Sequence, residues 1–181
     1  SFIKRLQEND QVGVVTFATQ GAVHTPLTSE LQTASEQVKK LFIDPKEETG
    51  FTNTSAALKE AAKELASERH NGDARRVLVL LTDGLPTATD GTADPLTEAQ
   101  AAAQEIADSG VEIYAIGLGK NVNLEFISSL ASDQANAFYA PTTADLGGIY
   151  NKITSSLCES GTSKIDVIAK TPTNFTPLES N

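Results

Sequence analysis

The chain has 181 residues and a mass of 19.1 kDa, enough for one domain with a substantial core, and its 39% apolar and 21% charged content is that of a globular protein. Its 14 basic and 24 acidic residues leave a net charge of −10, which argues against nucleic acid and anionic membrane as partners and favours a surface that attracts cations. No run approaches the roughly 18 consecutive apolar residues of a membrane-spanning helix, so no membrane insertion is expected. The chain contains no Met and so does not begin at a translation start, and the lack of a leader carries no information. A single cysteine, Cys158, excludes an internal disulfide framework and a cysteine-based zinc site. It reads either as a structural thiol on the last helix or as the partner of a cysteine upstream of Ser1 in an oxidising compartment.

Ser1-Phe2-Ile3-Lys4-Arg5-Leu6 reads as the closing turns of a helix. Gln11 to Ala18 is a strand, and Ala22 to Leu27 its hairpin partner across Thr19-Gln20-Gly21, with Pro26 suited to a sheet edge. Leu31, Ala34, Val38, Leu41 and Phe42 recur at helical spacing until Asp44-Pro45 stops the pattern. Past the loop from Gly50 to Ser55, Leu58, Ala61, Ala62 and Leu65 form the apolar stripe of an amphipathic helix, whose outward face is expected to carry Lys59, Glu60, Lys63 and Glu64. Val77 to Leu81 is a fully apolar strand that runs into Thr82-Asp83-Gly84. The polar loop from Asp83 leads to Asp94-Pro95, a carboxylate cap with Pro at the first helical position, and Ser109-Gly110 ends that helix. Val111 to Gly117 is a strand, Leu124 to Leu130 a short helix, Ala137 to Ala140 a short strand and Leu146 to Leu157 a closing helix. Gly161-Thr162-Ser163 reads as a hinge, Lys164 to Lys170 alternates like a strand, and 171–181 is rich in Pro, Thr, Ser and Asn. The expected organisation is one domain over 1–158, followed over 159–181 by a linker or the start of a β-rich module.

Strands alternating with helices predict a doubly wound α/β domain, with a mainly parallel sheet, one antiparallel edge strand and helices on both faces. Open sheets of this kind place ligands at the carboxyl ends of their strands. Asp83 offers a carboxylate there and Thr52 a hydroxyl on a loop that opens a helix, the oxygen donors that a hard divalent cation takes. The bland alternative is that Asp83 is a turn residue and Thr52 part of a helix cap. Asp90 and Asp94 read as solvated loop carboxylates. Gly117-Leu118-Gly119-Lys120 lacks the spacing of a phosphate loop, Gly-x-Ser-x-Gly does not occur, and His24 and His70 have no acid or nucleophile at catalytic spacing, so no enzyme is expected.

The order of the Val12 to Phe17 strand, the edge hairpin, Gly50-Phe51-Thr52-Asn53-Thr54, the Ala/Leu helix, Val77 to Gly84, a helix and Val111 to Gly119 resembles a von Willebrand factor type A domain, the integrin I-like fold. The resemblance covers roughly residues 1–158. It implies an adhesion module that holds a divalent cation, Mg²⁺ or else Mn²⁺ or Ca²⁺, at a metal-ion-dependent adhesion site and binds an acidic residue of a protein ligand. That site has three parts, of which Thr52 and Asp83 match two, while Phe51, Asn53, Leu85, Pro86 and Thr87 would flank the ligand. The third part is an Asp-x-Ser-x-Ser loop after the first strand. No Asp of this sequence begins that motif, so the loop, the first central strand and the first helix are expected upstream of Ser1, supplied by another segment, another chain or a donated strand. The resemblance also implies that the helix from Leu146 to Leu157 would move if affinity is regulated. A Thr/Pro/Ser tail suits an extracellular or cell-surface protein. The alternatives are a metal-free scaffold in a surface assembly or pilus, and an intracellular partner of an ATPase.

Overall fold

Burial on both sides of the inner strands dictates the architecture. In the computed structural model, which describes residues 2–41 and 51–157 together with the backbone of 158–159 and 165–172, the strands β1 (Gln11–Phe17), β3 (Arg75–Thr82) and β4 (Glu112–Leu118) are buried along most of their length. Side chains alternate across a strand. Leu78 and Leu80 therefore join Val15, Phe17 and Ile113 against one helical layer, whereas Val77, Val79 and Leu81 join Tyr114 and Ile116 against the other. The first layer is built from α2 (Thr54–Leu65), α3 (Pro95–Asp108) and α4 (Leu124–Leu130). The second holds α5 (Leu146–Glu159) and buried Phe2, while α1 (Leu31–Lys39) packs over Val12 through Ala34. Wholly buried Leu58 and Leu65 on α2 each contribute about 1.5–3 kcal/mol by leaving water.

The six-stranded sheet has the order β2-β1-β6-β3-β4-β5, where β2 is Gly21–Thr28, β5 Ala137–Ala140 and β6 Ile165–Pro172. β2 runs antiparallel to β1 and sits at the edge, as the hairpin and Pro26 predict; the remaining neighbours are parallel. The doubly wound fold with an antiparallel edge strand is thus as expected.

Among the described residues no strand precedes β1, and the place of the expected first strand, between β1 and β3, is taken by β6. Val15, Lys170 and Leu80 lie abreast, and Pro172 ends the strand beside Phe17. The tail beyond the closing helix, read from sequence as leading out of the domain, instead enters the middle of the sheet. The cause is the slot itself. Without β6, β1 and β3 would each present a row of unpaired N–H and C=O groups inside the protein.

Three smaller differences have local causes. The first residues form a 3-10 turn, Ile3–Arg5, instead of α-helix, with Phe2 edge-on to Tyr150 at 5.4 Å between ring centroids. Helix α1 closes at Lys39, where Lys40 N–H returns to Gln37 and Val38 carbonyls. Glu64 is not on a solvated face: it is 4% exposed, and accepts from Leu27 N–H and from the Arg69 guanidinium. The Asp44-Pro45 stop, the Lys46-Glu47-Glu48 run, Gly50, the hinge at 161–163 and residues 173–181 lie outside the described residues, as does the Cys158 side chain.

Candidate functional site

Two loops meet at the carboxyl end of the sheet. At the end of β3 the wholly buried Thr82 hydroxyl donates to Gly84 O at 3.0 Å and accepts from Gly84 N–H at 3.4 Å, a tight turn that leaves Asp83 exposed. The chain then folds back on the segment before α2. Thr52 N–H donates to Thr87 Oγ1 at 2.9 Å, and Thr87 and Ala88 N–H donate to Thr52 O at 2.9 and 3.3 Å. Asn53 N–H reaches the end of β1 by donating to Ala18 O at 2.7 Å. Thr52 is therefore fixed between the ends of β1 and β3, on the rim that carries Asp83.

Asn53 organises this junction. Its Oδ1 caps α2 by accepting from Ala56 N–H at 3.0 Å and takes the Ser55 hydroxyl at 2.9 Å. Its Nδ2 donates to Thr19 O at 3.0 Å and to Asp90 Oδ1 at 2.8 Å. Two donors and two acceptors are the full capacity of an amide side chain, so Asn53, 1% exposed, is completely engaged in holding segments together. Farther along, Glu98 takes Lys59 Nζ at 2.7 Å, which holds its carboxyl below the ordinary value, although burial pulls the other way.

The structure thus brings Thr52 and Asp83 to one rim and gives the flanking residues different surroundings. Phe51 and Leu85 stand out, 45% and 41% exposed, while Pro86 is buried and Thr87 uses its hydroxyl to clamp Thr52. Among the described residues neither the hydroxyl of Thr52, a residue 6% exposed, nor the exposed Asp83 carboxylate makes a hydrogen bond or ion pair, and the buried Thr54 hydroxyl is also without a partner. One carboxylate and one hydroxyl are hard oxygen donors of the kind Mg²⁺, Mn²⁺ or Ca²⁺ accepts, with water completing the shell. Among the described residues no three His, Cys, Asp or Glu side chains come together. Sequence reasoning missed Asp90, which is a partner of Asn53 and not a purely solvated acid. Nothing local signals a bond across 37 residues.

The pattern for the von Willebrand factor type A domain matches residues 1–152. The chain belongs to that family. Across this A domain, the mouse collagen alpha-5(VI) chain is 27% identical over 154 residues, which are 82% of this chain and 5% of the collagen chain. The A domain thus spans only a small fraction of that relative's length. Among solved structures, the von Willebrand factor domain of the type V pili tip protein Mfa5 from Porphyromonas gingivalis superposes with a TM-score of 0.73 at 12% identity, covering 88% of this chain and 85% of that one. Proximal thread matrix protein 1 from the mussel byssus, with a zinc-occupied metal-ion-dependent adhesion motif, gives 0.66 at 20% identity over 82% of this chain and 36% of its own. At these identities the structures establish the fold. The Asp-x-Ser-x-Ser part of the family's site has no counterpart among the described residues of this A domain.

Proposed function

We propose that this A domain is an adhesion module of a secreted or cell-surface protein that captures an acidic residue of a protein ligand through a divalent cation, Mg²⁺ foremost. Thr52 and Asp83 hold the cation. The rest of its shell is water and the Asp-x-Ser-x-Ser loop that the family resemblance places outside this sequence. A cation held there leaves a position open to a carboxylate, a strong directional contact that an acidic domain cannot otherwise offer to an acid. The observation that carries this reading is the rim itself. The large apolar side chains left exposed among the described residues, Phe51, Leu85, Leu124 and Tyr139, sit on the loop before α2, the loop after β3, the start of α4 and β5. All four places lie at the carboxyl end of the sheet. Exposed apolar groups on the two loops that carry Thr52 and Asp83, Phe51 and Leu85, suit a protein-binding rim. The matrix, byssus and pilus-tip relatives support the location.

A metal-free scaffold is the second reading, and β6 favours it. The strand in the central slot ends in Lys170-Thr171-Pro172 and brings no carboxylate to the rim. Calorimetric titration with Mg²⁺ and Mn²⁺ separates the two. The adhesion reading predicts a saturable heat in the wild type that Asp83→Ala abolishes. Equal heats in both proteins would leave the scaffold.

A further inference from the structure

The loop between β3 and α3 is fastened to the N-terminal end of α2 at two separate points. The first is the backbone pairing of Thr52 with Thr87 and Ala88. The second, three residues on, is the 2.8 Å bond from Asn53 Nδ2 to Asp90 Oδ1. One point allows a loop to pivot, whereas two fix its orientation. The second anchor is also unusually well grounded: Asn53 is buried, capped onto α2 through Oδ1 and tied to Thr19 O through its other N–H, so its amide cannot turn to follow a moving loop.

We infer that Asp90 is a positioning residue for the rim: by accepting from Asn53 it latches the 83–90 loop to the cap of α2 and holds the Thr52 and Asp83 oxygens in one fixed relation. Asp90 itself touches no ligand. The latch needs an acceptor at this position and not a charge, which distinguishes it from a carboxylate that acts on a cation through space. Its consequence for cation affinity rests on the adhesion reading above; the latch itself does not.

Amide hydrogen exchange followed by NMR tests the latch without metal. In Asp90→Ala, the Thr87 and Ala88 amides should exchange roughly tenfold faster than in the wild type, the opening expected from one lost hydrogen bond. Asp90→Asn keeps an acceptor oxygen and should exchange like the wild type. Unchanged exchange in Asp90→Ala overturns the inference. Titration of the same three proteins with Mn²⁺ should show affinity weakened roughly tenfold in Asp90→Ala and retained in Asp90→Asn. Equal weakening in both variants overturns the positioning role in favour of a charge effect. Absence of Mn²⁺ binding in all three, with exchange still accelerated in Asp90→Ala, keeps the latch and rejects the cation.

Discussion

Glu64 occupies a helical position that the pattern of α2 assigns to solvent, yet one of its oxygens, Oε1, serves two elements at once. It takes Leu27 N–H from the edge strand at 2.7 Å and Arg69 Nε at 2.8 Å. Glu64→Ala leaves a buried N–H without an acceptor and should lower the unfolding free energy by about 2–3 kcal/mol in urea titration, with Glu64→Gln costing less because an amide oxygen still accepts. The Arg69 hydrogen bond, aided by Leu27 N–H and opposed by burial, holds the Glu64 carboxyl below its ordinary 4.5. A depressed carboxylate stabilises fully above that value and loses the contribution as pH falls through the lower folded one. Wild type and Glu64→Gln should therefore differ at neutral pH and converge as pH falls through the lowered folded value. Gly21 is a second residue whose role is steric. A Cβ there would stand 2.7 Å from Ala56 O in the first turn of α2, so Gly21→Ala should shift strand against helix and cost about 1–3 kcal/mol, read as a lower Tm.

Helix caps were the most legible elements. Asp94-Pro95 announces the start of α3, and Asp94 Oδ2 does accept from Thr97 N–H at 3.0 Å. A cap is a local device, written in consecutive residues. The strands that run buried on both faces were legible for the same reason, because an apolar run needs no knowledge of what covers it. Glu64 and Asp90 were not legible, since their partners Leu27 and Asn53 lie 37 residues away and any surface carboxylate has the same local spelling. Thr52 and Asp83 could be named from the order of elements, but the clamp by Thr87 could not. Asn53, expected from sequence to flank the ligand while the cap reading falls on Thr52, is in the structure both the cap of α2 and the junction of three segments. Its truncation should exceed the ordinary effect of a lost cap. Asn53→Ala should cost more than about 1 kcal/mol, whereas Asp94→Ala, at an exposed cap, should cost about that much, and chemical denaturation of the two variants checks the ranking.

For the molecule as a whole the decisive feature is the central slot. The family resemblance implies a central strand that this sequence lacks, and the alternation from Lys164 to Lys170 is visible, but only the folded sheet connects the two observations. Ile168 pairs with Gly13 on one side and Leu78 on the other. Proline there removes a ladder donor in the middle of a sheet and should destabilise the domain by about 3 kcal/mol or more, seen in thermal unfolding. An unchanged Tm would place the segment outside the sheet. The rim above that slot is where the functional reading stands or falls, and paramagnetic broadening by substoichiometric Mn²⁺ locates the cation directly. Amide signals of Thr52, Asn53, Asp83 and Gly84 should fade first and should persist in Asp83→Ala. Broadening that spreads evenly over the acidic surface, or that is the same in wild type and Asp83→Ala, would contradict a cation held by Thr52 and Asp83.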